Sequence, residues 1–267
     1  MITIKSPREI ELMRVSGKIT SKTLTMLMKT VKAGMTTGEV DRLAEQSIRS
    51  MGGTPTFIGY HGYKHTICAS VNDEVVHGIP GTRVLKDGDL LSIDIGTTLD
   101  GYVSDSAVTI PIGTVSPAAA KLMKVTQECL MFGIAAMQAG NRLGDIGQAV
   151  QAHAEANGYG VVRQLVGHGI GTKMHEEPQV PNYGKAGQGT LLRPGLVLAI
   201  EPMITEGAYE VETLEDGWTV VTEDGKLAAH FEHTIAVTAE GPRILTLREY
   251  GEHADVERFR PDQEKAA

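Results

Sequence analysis

Cysteine is nearly absent from this 267-residue chain, which has only Cys68 and Cys129. Two such residues make neither a disulfide framework nor a thiolate zinc site, and they point to a reducing compartment. Aromatic residues are also scarce at 4%, with Trp218 the single tryptophan. No apolar run approaches the ~20 residues that cross a bilayer, and the N-terminus carries too many charges for a secretory leader. A cytoplasmic protein with no membrane partner is expected. Positive charge is in short supply as well: the net charge of −8 argues against a general DNA or RNA binder. Segment 1–32 is the local exception, with Lys5, Arg8, Arg14, Lys18, Lys22, Lys29 and Lys32 against Glu9 and Glu11. A solvated helix surface accounts for that bias, and a docking face is the alternative.

The hydrophobic fraction of 41% and charged fraction of 22% are those of an ordinary globular chain. Ser6-Pro7 with Glu9 predicts a helix start, with Ser as cap and Pro in the first turn; apolar positions then carry the helix to Gly34. A second helix is predicted over 37–51, ended by Gly52-Gly53. Strands are predicted at 66–71 and 75–76, and later near 161–166, 196–201, 219–222 and 230–237. At Ser116-Pro117 the pattern restarts. Glu11-Leu12-Met13-Arg14-Val15-Ser16 is echoed by Lys121-Leu122-Met123-Lys124-Val125-Thr126. Ala33-Gly34, Gly38-Glu39-Val40 and Gly52 likewise return as Ala139-Gly140, Gly144-Asp145-Ile146 and Gly158. The repeat predicts one unit used twice, with halves of about 1–112 and 113–250 in a single domain spanning 1–267. The expected architecture is α/β (α+β), one sheet covered by four helices, with ligands bound between the halves. Only the polar tail, 259–267, reads as loose.

Residues 90–110 carry the clearest local pattern. Leu91, Ile93 and Ile95 alternate with Leu90, Ser92 and Asp94, a strand signature, and a second strand runs from Tyr102 to Ile110. Asp100-Gly101 between them is a favoured pair for a tight turn. A two-residue loop sets Leu99 opposite Tyr102 and Asp94 opposite Ala107. Asp94 and Asp105 then lie diagonally on one face, roughly 7–8 Å apart at the backbone. Taken alone, such a pair on a solvated hairpin is the more ordinary arrangement, since Asp is mostly exposed.

Three later segments shift that balance. His168 sits among glycines in Gly167-His168-Gly169-Ile170-Gly171, Glu201 ends the apolar run Val197–Ile200, and Glu232 lies in the run from Phe231 to Val237. Two Asp, two Glu and one His in apolar surroundings have no matching supply of Lys or Arg. Four carboxylates and an imidazole suit two divalent cations of the Mn, Fe, Co or Zn type. Two such ions on shared carboxylates activate a water molecule and polarise a carbonyl, which points to amide or ester hydrolysis.

The motifs Val71-Asn72-Asp73-Glu74-Val75-Val76-His77-Gly78-Ile79-Pro80, Asp94 with Asp105, Gly167–Gly171 with His175-Glu176-Glu177-Pro178, Ile200-Glu201-Pro202-Met203 and Glu232-His233-Thr234 resemble those of type I methionine aminopeptidases. The resemblance covers nearly the whole chain. It implies the duplicated pita-bread fold and removal of the initiator methionine from nascent polypeptides when the second residue is small. It implies that Asp94 chelates one metal, that Asp105 and Glu232 bridge both, and that His168 and Glu201 complete the other. It further implies proton transfer by Glu201, stabilisation of the tetrahedral intermediate by His175, and substrate contact beyond the cleaved bond by His77. The methionine pocket maps to Tyr60, His61, Tyr63, Cys68 and Trp218, with Phe57 at its mouth, where relatives often carry a small residue or Cys. Met174 and Ser104 depart from the usual Phe and Gly. The short stretch between His175 and Glu201 leaves no room for the insertion of type II enzymes. A monomer is expected, with the basic first helix as a ribosome contact. Two readings compete: a proline-directed peptidase of the same fold, which usually carries an extra N-terminal domain, and a catalytically inactive binding module.

Overall fold

The computed structural model describes residues 2–248, so the expected tail at 259–267 lies outside the described residues. Among the described residues four α-helices frame the β-structure: α1 (Pro7–Thr30), α2 (Thr37–Ser50), α3 (Pro117–Ala136) and α4 (Leu143–Ala156). Ser6 caps α1 through a reciprocal bond with Glu9, and Thr36 caps α2 with Glu39 in the same way. The first helix stops at Thr30 rather than near Gly34, because Val31 is already extended with ψ at 133°. No helix among the described residues is long and apolar enough to cross a membrane.

Among the described residues the strands divide into four hydrogen-bonded sheets rather than the single sheet expected. One is built on the hairpin Leu90–Leu99 and Tyr102–Pro111, joined by Ile67–Val71 and Thr54–Pro55. Another orders Gly241–Ile244, His233–Thr238, Val197–Ile200, Gly167–Gly169 and Glu176–Val180 side by side. Two three-stranded sheets complete the set: Ala228–His230 with Met203–Thr205 and Gly160–Val161, and Val211–Thr213 with Val220–Thr222 and Glu74–Val76.

Each break has a definite cause. The run expected as one strand over 230–237 breaks at Phe231-Glu232, where the Glu232 N–H turns to the carbonyl of Ala107 at 3.0 Å. Its neighbour breaks at the same level, after Ile200, where Pro202 has no N–H to give the ladder. The strand expected over 161–166 likewise leaves its sheet after Val161.

Helix α1 packs on the hairpin, and α3 packs on α4. Gly17 permits a close approach of α1 to the segment after the strand Gly241–Ile244: a Cβ there would lie 2.2 Å from the Leu245 carbonyl oxygen. The glycines paired by the sequence repeat adopt matching backbone, with φ of 90° at Gly34 and 96° at Gly140, and 83° at Gly52 and 84° at Gly158. A large apolar core lies between helices and sheets, built on residues such as Leu24, Leu27, Ile93, Leu122, Ile146 and Ile235.

Candidate active site

The hairpin has the register read from its sequence. Leu99 faces Tyr102 and Asp94 faces Ala107, across a turn with φ of 50° at Asp100 and 81° at Gly101. Asp105 therefore lies opposite Gly96, two positions from Asp94 on the same side of the sheet. The next strand is locked to this hairpin by polar bonds. The Asp105 N–H donates to Thr234 Oγ1 at 2.9 Å, and the Thr234 hydroxyl donates to the Asp105 carbonyl at 2.8 Å. The Ser106 hydroxyl donates to the Glu232 carbonyl at 2.6 Å. These bonds set Glu232, in its strand break, beside Asp105. Glu201 occupies the neighbouring break, so both glutamates stand where the backbone changes partner rather than inside a strand, which corrects the placement expected for Glu232.

His168 closes the group. Its Nδ1 bonds to the carbonyl of Gly169 at 2.9 Å, which puts the ring proton on Nδ1 and leaves Nε2 bare. That nitrogen lies 3.6 Å from Glu201 and 3.8 Å from Asp105. One donor atom each from Asp105, His168 and Glu232 falls within 4.8 Å of the others. Asp94 stands beside Asp105 on the hairpin face, and Glu201 adjoins through His168. All five residues line one cavity.

The electrostatics of this cluster are unfavourable without a cation. Burial, helped for Asp105, Glu201 and Glu232 by repulsion from neighbouring carboxylates, pushes their carboxyls well above the usual range. Burial raises Asp94 to about 7 and drops His168 to about 3. Oδ1 of Asp94, Oδ1 of Asp105 and Oε1 of Glu232 are buried with no hydrogen-bond partner among the described residues. Orphaned, converging carboxylate oxygens beside a bare imidazole nitrogen fit a divalent cation.

The cavity measures about 200 Å³, and away from these ligands its lining is mainly apolar. Phe57, Tyr60, Tyr63, Cys68, His77, His175 and Trp218 all line it, as does Met174. Tyr63 packs its ring 4.9 Å from that of Trp218 and donates its hydroxyl to the Ile67 carbonyl at 2.9 Å. Cys68 stands directly across the ladder from Asp94. The Phe57 ring is seated on Gly96, where a Cβ would come within 2.7 Å of it. His77 adopts a left-handed backbone with φ of 60°, uncommon for a side chain with a Cβ, and its ring stands edge-on to Trp218. His61 is the exception: it is exposed, its ring beside Tyr60, and it does not belong to the lining.

Leu165, Val166 and Met203 also line the cavity, and none was singled out in the sequence. Met203 follows Glu201-Pro202 directly, so its place in that motif was the available signal. Arg248 gave none. Its buried guanidinium donates to Ser106 Oγ at 3.1 Å, behind Glu232, and its charge opposes the upward shift there. Ser104 is fully buried, its hydroxyl bonded to Ser16 at 3.0 Å and Thr20 at 2.8 Å, both on α1.

Known proteins share this arrangement. The profile of metallopeptidase family M24 matches residues 11–239. A methionine aminopeptidase of Clostridium perfringens is 52% identical over 247 residues, covering 92% of this chain and 99% of that protein. Methionine aminopeptidase 1 of Bacillus subtilis is 52% identical over 246 residues, covering 92% and 99%. The crystal structure of a methionine aminopeptidase from Thermotoga maritima superposes with a TM-score of 0.91 at 45% identity, covering 92% of this chain and 99% of that one. A Xaa-Pro dipeptidase from Bacillus anthracis shares the fold at a TM-score of 0.74 and 23% identity, and this chain spans 61% of its length. The pita-bread fold expected from the motifs is therefore the fold of this chain, which belongs to metallopeptidase family M24 and, within it, to the methionine aminopeptidases.

Proposed function

We propose that this protein removes the initiator methionine from nascent polypeptides whose second residue is small. The observation that carries the reading is the joining of five metal-type ligands, three buried and two half-buried, to an apolar, sulfur-lined cavity, in a chain whose relatives are named methionine aminopeptidases. Asp94 would hold one divalent ion, Asp105 and Glu232 would be shared by two, and His168 with Glu201 would hold the second. When bound, such ions supply Lewis acidity to a carbonyl and make a water molecule a stronger acid.

The remaining roles belong to the chain itself. The methionine side chain lies among Phe57, Tyr60, Tyr63, Cys68 and Trp218, where soft, polarisable contacts suit a thioether. Glu201 holds and passes the proton taken from water. His175 donates a hydrogen bond to the carbonyl oxygen as negative charge gathers there. His77 contacts the substrate beyond the scissile bond. Two duplicated halves, about 1–112 and 113–250, hold the site between them, a reading supported by the paired glycine conformations at Gly34 and Gly140. The same reading places the protein in the cytoplasm as a monomer. Exposed Lys18, Lys22 and Lys29 on α1 face the ribosome; Lys5 is excluded from that surface by its buried bond to Glu176.

The test is cleavage of Met-Ala, Met-Lys, Leu-Ala and Ala-Pro peptides by protein loaded in turn with Mn, Fe, Co and Zn. Cleavage confined to Met-Ala is expected. Preference for Ala-Pro would move the protein to the proline-directed branch, and no cleavage with any metal would support a binding module.

A further inference from the structure

Tyr60 and His175 meet across the cavity mouth from different parts of the chain. Tyr60 opens the short 3-10 turn Tyr60–Gly62, and His175 precedes the strand Glu176–Val180. Two left-handed residues, Gly59 at φ 87° and His61 at φ 47°, flank Tyr60 and aim its ring. The turn is tied by the Tyr60 N–H to the Phe57 carbonyl at 3.0 Å and by the Tyr63 N–H to the Tyr60 carbonyl at 2.9 Å. The Tyr60 hydroxyl oxygen then lies 2.6 Å from Nδ1 of His175, with the two rings 28° from parallel. On its other side the His175 ring leans on His168, with centroids 4.2 Å apart.

The direction of that short bond follows from the two groups. A phenol oxygen shares its lone pair with the ring and is a weak acceptor, whereas the bare nitrogen of a neutral imidazole is a strong one. The bond therefore runs from the Tyr60 O–H to His175 Nδ1. A neutral imidazole carries one ring proton, so an accepting Nδ1 places it on Nε2. Burial raises the Tyr60 hydroxyl above its ordinary range, which keeps its proton in place.

We propose that Tyr60 is a positioning residue that, through its hydroxyl, fixes His175 as an Nε2–H donor with one ring orientation. This inference rests on the reading of His175 as the donor to the substrate carbonyl and adds what sets its tautomer. It also gives Tyr60 a second task beyond walling the methionine pocket. A pocket wall needs the ring alone; a tautomer lock needs the oxygen. Tyr60→Phe separates the two.

The experiment combines the wild type, Tyr60→Phe, His175→Ala and the double variant. In metal-free protein labelled with ¹⁵N-histidine, the His175 signals, assigned by their loss in His175→Ala, are expected to show Nε2 protonated and Nδ1 bare. In Tyr60→Phe the Nδ1 signal should move toward that of a bare nitrogen without a hydrogen bond. A wild-type spectrum with the proton on Nδ1, or one unchanged by Tyr60→Phe, overturns the proposal. On a Met-Ala peptide, Tyr60→Phe should lower kcat about ten-fold, the effect of one modest hydrogen bond, with KM unchanged within a factor of about two. In the His175→Ala background the same substitution should cost nothing further. A loss carried by KM, or an equal loss in that background, overturns the lock. A wild type that does not cleave Met-Ala removes the proposed function instead, and the spectrum still decides the tautomer.

Discussion

Thr234 holds Asp105 by both of its backbone groups, accepting from the N–H at 2.9 Å and donating to the carbonyl at 2.8 Å. Both residues are buried, so no water can replace these bonds freely. Thr234→Val keeps the shape and removes the hydroxyl, leaving a buried donor and a buried acceptor unpaired. A stability loss of about 2 kcal/mol is expected from urea unfolding of the metal-free protein. Because the bond aims a metal-type ligand, affinity for Mn should also fall about ten-fold in a calorimetric titration. Unchanged affinity would show that the ladder alone positions Asp105.

Asp105→Asn tests the cost of the carboxylate cluster from the other side. Asp105 is crowded by burial and by the charges of Glu232 and Asp94. A neutral amide relieves that repulsion while supplying a poorer ligand. The stripped variant is expected to melt above stripped wild type at pH 8, yet to gain little from added Mn or Co. Wild type should do the reverse. The pair of melting curves, with and without chelator, is the measurement; a variant stabilised by metal as strongly as wild type would remove Asp105 from the shared-ligand role.

The site was legible in the sequence where its cause is local. Period-two apolar spacing and the Asp100-Gly101 turn were enough to place Asp94 opposite Ala107. Glu201 and Glu232 stood out as carboxylates in apolar runs. Their setting stood out only in part: Pro202 marks the break at Glu201, whereas the break at Glu232 depends on Ala107, far away in the chain. The same distance hid Arg248, whose meaning comes from Ser106, and Ser104, whose buried hydroxyl makes sense only once Ser16 and Thr20 of α1 lie over it. The run at 161–166 misled because Leu165 and Val166 are apolar for the sake of the cavity, not of a ladder.

The pH dependence of the stripped protein has a definite sign in one window. His168, depressed to about 3 in the fold, makes folding more favourable as pH rises toward 6.5. Above that the imidazole is neutral folded and unfolded, and its contribution is flat. Asp94, raised by burial from 3.8 to about 7, keeps its proton in the fold where the unfolded chain has lost it. Its contribution therefore falls as pH climbs through about 7, and Asp105, Glu201 and Glu232, raised in the same direction, reinforce the fall. The urea midpoint of chelator-treated protein should be lower at pH 8 than at pH 6.5. Saturating divalent metal should abolish or reverse the difference, since the ligands bind as anions and release protons.

His175→Ala separates chemistry from construction. His175 is exposed at the mouth of the cavity, bonded to Tyr60 and stacked beside His168, and it belongs to no ladder. Removing the imidazole should leave the melting temperature and the Mn titration near wild type. The donor to the developing oxyanion disappears, and kcat on Met-Ala is expected to fall about 10²–10³-fold with KM little changed. A loss confined to KM would instead make His175 a contact for the bound ground state, because an interaction felt equally by substrate and transition state leaves kcat untouched.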